Sequence, residues 1–181
     1  MMHPDGAAPA IMPSISELPD EGAPWMIEAL RLLRTRDDPL RADGRGMLRL
    51  LHMIGSRATL LGLPWCGFFV GHCLRSALPE IVLPRLYIRA RPWTHWGEAA
   101  EPQLGAVMLF WHVHPRSPLG HVGFYWAEDE DSYHVLSGNQ RASIVIQRYP
   151  KSRLLRARWP AGVAQTGIRR RACASQAVPF P

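Results

Sequence analysis

Cys66 stands in the stretch GLPWCGFF, directly behind Pro64 and Trp65, where an apolar helix begins. A thiol attacks as its thiolate, and an ordinary cysteine is mostly protonated near neutral pH. Two features lower that pKa. One is the first turn of a helix, whose unpaired N–H groups favour negative charge. The other is an imidazole that accepts the proton. Pro64 marks a helix entrance and supplies the first feature. The second must come from one of eight histidines.

Position sorts those histidines. His3 falls in a leader, His52 on an early helix and His95 in an aromatic loop. His72 follows Cys66 on the same helix, six residues on and on roughly the opposite face. His112, His114, His121 and His134 fall in strand-like sequence. His121 follows Gly120 and opens HVGFYW, so its ring projects from a strand start beside a loop. A third group should orient the imidazole. The strand after the next turn ends in SGNQ, which returns Asn139 to the level of His121 if the hairpin pairs regularly. Its side-chain carbonyl can accept from an imidazole N–H.

Each residue also has a plainer reading. A cysteine in an apolar helix is often inert core, and Cys73 reads that way. A histidine at a strand start is often a surface residue, and an Asn after Gly is often a turn residue. His112 and His114, with His121 or His134, could also supply three zinc ligands. The chain lacks the H-E-x-x-H pattern that would strengthen that alternative.

The elements that must hold these residues read as one α+β domain. PWMIEALRLLR gives a helical stripe through Trp25, Met26, Ala29, Leu30, Leu32 and Leu33. MLRLLHMIG resumes helical spacing and stops near Gly55. PWCGFFVGHCLRSAL is apolar around nearly its whole circumference, which predicts a central, buried helix. Gly67 and Gly71 weaken it and admit close backbone neighbours. A short helix or turn is expected around 84–90, then an aromatic loop with Trp93 and Trp96. From residue 106 the period turns strand-like, in AVMLFWHV, HVGFYWAE, YHVLSG, ASIVIQRY and RLLRARWP. Helices followed by an antiparallel meander predict three helices on a sheet of about five strands. Residues 1–23 read as a flexible leader and 161–181 as a flexible basic tail.

Taken together, PWCGFFVGHCL, GHVGFYWAEDEDSYHVLSGNQ and RYPKSRLLRARWP resemble the CHAP-type and NlpC-like cysteine peptidases and amidases. These papain-like enzymes cleave bacterial peptidoglycan. The resemblance covers roughly residues 24–160. It implies a papain-like fold with Cys66 as nucleophile, His121 as general base and acid, and Asn139 as orienting residue. Gln140 stands beside Asn139 as a possible assistant, and Trp65, Trp93 and Trp96 are candidate cleft walls. The implied reaction is hydrolysis of an amide in the peptide stem, or between stem and sugar, through a thiol acyl-enzyme. No cofactor is implied. The chain departs from the usual pattern at Gly105–Ala106, where many relatives have Gly-Asp, and at Ser137, where they have Gly. It also lacks the aspartate-rich calcium loop some relatives carry near the cysteine.

Composition narrows the remaining classes. The net charge of +6 suits a polyanion such as a cell wall. No RNP, zinc-finger or basic-zipper pattern accompanies it, so a specific nucleic-acid partner is not expected. Three cysteines do not make a disulfide scaffold, since Cys66 and Cys73 sit roughly 10 Å apart along one helix. No signal peptide and no membrane-spanning run is recognisable. A wall substrate would then be reached after lysis or dedicated export, with a delivery or immunity partner possible. The alternative function is a non-catalytic wall-binding or structural module that keeps the fold.

Overall fold

A computed structural model describes Leu18 and residues 23–34, 65–140 and 143–172; the side chains of residues 139, 140 and 143 lie outside that description. Helix α1 (Trp25–Arg34) buries Trp25, Met26, Ala29, Leu30, Leu32 and Leu33, the whole of the expected stripe. Helix α2 (Cys66–Ala77) follows, and its last turn closes through Leu78 N–H donating to the Leu74 carbonyl at 2.8 Å. Pro79 then has no N–H with which to continue. The helix expected near residues 47–55 lies outside the described residues.

The sheet has six antiparallel strands rather than about five: β1 (Glu98–Ala99), β2 (Val107–Trp111), β3 (Gly120–Glu128), β4 (Ser132–Gln140), β5 (Ser143–Pro150) and β6 (Leu154–Trp159). Their order is β1-β6-β2-β3-β4-β5. The missed strand, β1, is two exposed residues paired to Trp159 and Arg158, with no apolar pattern to reveal it. Of the short helix or turn expected around 84–90, the turn is what forms, a run of turns and bends followed by a 3-10 helix at Arg91–His95. Leu86 there has φ +61, which no right-handed helix accommodates.

The order of strands forces the sheet to curl. Strands β5 and β6 are separated by three others, roughly 19 Å if the sheet were flat. Pro150 to Leu154 is four Cα steps, about 15 Å at full stretch. Curling brings Tyr149 of β5 against Phe110 of β2, with ring centroids 4.7 Å apart. The helices cover the other face. Phe69 of α2 meets Phe124 of β3 at 5.9 Å, and Trp25 of α1 meets Trp159 of β6 edge-on at 5.0 Å. Burying each such ring stabilises the fold by about 1.5–3 kcal/mol.

Residues 161–172, expected as part of a flexible tail, lie as a strap along the loop before β2 and the end of β3. Ile168 O accepts from Leu104 N at 2.8 Å, and Gly167 N donates to Gln103 Oε1 at 2.6 Å. The strap ends on Glu128, which is 3% exposed. Arg169 donates to both of its carboxylate oxygens, at 2.6 and 2.9 Å, and Lys151 lies 2.9 Å away. Arg169 chiefly, with Lys151, holds the Glu128 pKa down at about 2 against the effect of burial. Glu128→Gln is therefore expected to lower stability by about 1–3 kcal/mol, read as a shift in urea midpoint.

Candidate active site

Cys66 is the first residue of α2 and is 1% exposed. The helix head is pressed onto the sheet where β4 has no side chain to obstruct it. A Cβ on Gly138 would stand 2.4 Å from Trp65 Cζ3 and 2.9 Å from Phe69 Cβ. Gly138 directly precedes Asn139, so the thiol's helix turn and the end of β4 are in contact. On the other flank Gly67 abuts the turn before the 3-10 helix. A Cβ there would fall 2.1 Å from Tyr87 O, 2.8 Å from Ile88 O and 2.9 Å from Arg89 O.

Burial pushes the Cys66 thiol pKa up, and the backbone N–H groups of Val122, Gly67 and Cys66 pull it partly back. The expectation of a thiol activated by the helix head is therefore not met. The desolvation cost of a thiolate in this packing exceeds what the amides return. The Val122 amide matters for another reason. It belongs to the residue after His121, so a sulfur from one end of the chain and the candidate base's own strand are neighbours.

The His121 ring is turned toward the curled sheet. Phe124 faces α2 and successive β-strand residues alternate, so His121 shares a face with Gly123. Its cross-strand partner is Phe110. Its ring stacks on Tyr149 at 5.1 Å with 7° between the planes, completing the series Phe110, Tyr149, His121. Burial first, and then the charge of His112, pushes the His121 pKa down to about 3. Cys66 and His121 are thus both neutral at pH 7 in this arrangement.

The register of β3 with β4 runs from Glu128↔Tyr133 to Phe124↔Leu136 and stops short of His121 and Asn139. The side chains of Asn139 and Gln140 lie outside the described residues. The tryptophans behave differently from expectation. Trp93 is 0% exposed and Trp96 7%, packed edge-on at 5.0 Å. Trp93 Nε1 donates to Tyr87 O and Trp96 Nε1 to Val82 O, both at 2.8 Å, so they brace the turn instead of walling a cleft. Trp65 is also buried, over Gly138. Sequence reasoning missed Tyr149. Strand alternation sets it on the Val145 and Gln147 face, but only the curl of the sheet brings that face to His121.

Of the other histidines, His112 acts on His121 by its charge, while two more are paired elsewhere. His134 pairs with Asp129 at 2.7 Å, and His72 with Glu28 at 2.9 Å. Among the described residues no group of three His, Cys, Asp or Glu could hold a metal, so the zinc alternative lacks a ligand cluster there. Cys66 and Cys73 are free thiols.

The depressed His121 pKa gives a stability prediction. The unfolded chain takes up a proton near 6.5, the folded chain only near 3. Stability is full above pH 6.5 and falls as pH drops through that window, by up to roughly 1.4 kcal/mol per pH unit. Glu128 adds a second loss between its ordinary 4.5 and about 2. Urea midpoints from pH 7 to pH 4 are expected to decline from about 6.5 in the wild type. His121→Gln should stay flat until the carboxylate window.

The fold is thus an α+β one, with two described α-helices against a curled six-stranded antiparallel sheet and a cysteine at the head of the more buried helix. Comparison with protein families, with curated proteins and with solved structures returned no match.

Proposed function

We propose that the protein is a thiol-dependent amide hydrolase of the papain-like CHAP or NlpC type, acting on the peptide stem of bacterial peptidoglycan. The observation that carries this reading is the meeting of the Cys66 sulfur with the backbone N–H of Val122, the neighbour of His121. Two of the three ordered motifs meet there: the helix head from the first, and from the second the start of β3 and, through Gly138, the end of β4.

A neutral pair works by general base catalysis. This requires the imidazole to leave its stack on Tyr149, on the sheet face away from α2, and meet the sulfur beside the Val122 amide. The ring takes the thiol proton as the S–C bond forms, and the Cys66 and Gly67 amides receive the developing oxyanion. The C–N bond then breaks and the amine leaves with that proton. Water attacks the thioester, His121 accepts its proton, and carboxylate and thiol are released. Asn139 holds the ring's orientation, with Gln140 beside it. Access to the wall follows lysis or dedicated export, and a delivery or immunity partner is compatible with that route. Among the described residues no helix is long and apolar enough to cross a membrane.

A second reading is a wall-binding module without turnover. It is favoured by the buried thiol and by the stacking of His121 on the sheet face away from α2. Digestion of purified peptidoglycan by the wild type, Cys66→Ala and His121→Ala separates the two. The hydrolase reading requires activity lost in both variants; an inactive wild type that still binds the wall selects the module.

A further inference from the structure

Among the described residues five large hydrophobic side chains are exposed, and four of them sit on two segments. Val82 is 83% exposed and Leu86 63%, in the turns after α2; Val113 is 74% and Leu119 53%, in the β2–β3 loop. The two segments adjoin. Arg91 Nη2 donates to Pro115 O at 2.9 Å and its Nε to Leu119 O at 3.3 Å. A Cβ on Gly120 would lie 3.7 Å from Ala90 Cβ. Both border the candidate site, since the carbonyls of residues 87–89 face Gly67 and His121 follows Gly120.

Two of the four apolar side chains are held outward at a backbone cost. Leu86 has φ +61 and Val113 φ +66. Side-chain sterics disfavour that region, most of all for a β-branched residue, and such positions gather at functional surfaces. The charge is one-sided as well. Residues 81–97 and 111–121 contain Arg85, Arg89, Arg91 and Arg116 and no carboxylate. The nearest acidic residues in sequence are Glu80 and Glu98, and Glu98 accepts from Gly162 N at 3.1 Å. Arg85, Arg89 and Arg116 are exposed and form no ion pair among the described residues.

We infer that these two segments dock the protein on an anionic lipid surface, with Leu86 and Val113 entering the interface and the arginines meeting lipid phosphates. Separate apolar side chains on loop tips, interleaved with arginine, suit a fluid interface better than a shape-matched protein groove. Docking presents the Cys66 end of α2 to the lipid, and it does not depend on Cys66 chemistry.

The test is co-sedimentation of the full chain with vesicles of phosphatidylcholine, alone and mixed with phosphatidylglycerol. Binding is expected to the mixed vesicles and to weaken with salt. Leu86→Asn and Val113→Asn are informative because Asn accepts a positive φ, so each variant keeps its fold, checked by thermal melting. Each is expected to bind about tenfold more weakly. Arg89→Gln and Arg116→Gln should each lose about fivefold. Cys66→Ala should bind as the wild type does, which separates this surface from the hydrolase reading. Equal sedimentation with and without mixed vesicles overturns the inference. So does wild-type affinity in both Asn variants, or capture by soluble heparin with no vesicle binding.

Discussion

Cys66→Ala is expected to reduce digestion of purified peptidoglycan by a factor on the order of 1,000 or more while leaving the protein folded. Alanine retains the helix head and removes only the buried sulfur, which accepts from the amides of Val122, Gly67 and its own residue. The stability cost of such a buried truncation is about 1 kcal/mol, too small to unfold a domain of this size. Loss of activity with a preserved melting curve therefore isolates the nucleophile. His121→Ala should lose activity to a similar degree, because nucleophile and base act as one unit and their removals do not add. Asn139→Ala should lose less, since orientation contributes less than attack and proton transfer.

Gly67→Ala should produce the largest loss of stability among single substitutions near the site. The new Cβ would stand 2.1 Å from Tyr87 O, with two more carbonyl oxygens inside 3.0 Å. Those atoms are backbone, fixed by the Trp93 indole on Tyr87 O, and cannot swing aside as a side chain can. The expected cost is about 3 kcal/mol or more, a fall of roughly 6–12 °C in Tm. Gly71→Ala gives the contrast. Its Cβ meets Tyr87 Cδ2 at 2.7 Å and Leu83 Cδ1 at 2.9 Å, both ends of side chains with room to shift. Its loss should be clearly smaller in the same thermal melts. Equal losses at the two positions would mean that the 87–89 turn gives way easily and does not buttress the helix head.

Much of the scaffold was legible because its signals are local. The apolar stripe from Trp25 to Leu33 and the largely apolar Cys66 helix follow from spacing alone, and five of six strands follow from short apolar or alternating runs. What escaped depends on distant partners. Strand β1 exists because Trp159 and Arg158 pair with two exposed residues, Glu98 and Ala99. Trp93 and Trp96 read as candidate cleft walls in sequence, where a tryptophan lining a cleft and one bracing a turn look the same. Residues 161–172 read as tail by composition, yet Gln103 and Glu128 hold them. The thiol was expected to be acidic because the helix head is visible in sequence; the packing that desolvates it is not. The facing of His121 toward Tyr149 required the curl of the sheet, a consequence of strand order.

The most direct measurement is mass spectrometry of fragments released from a defined peptidoglycan digested in heavy-oxygen water. The thiol hydrolase account predicts stem fragments with one new carboxyl group carrying a single heavy oxygen, produced by the wild type and absent with Cys66→Ala. Fragments released equally by Cys66→Ala, or none released by a folded wild type, would contradict it.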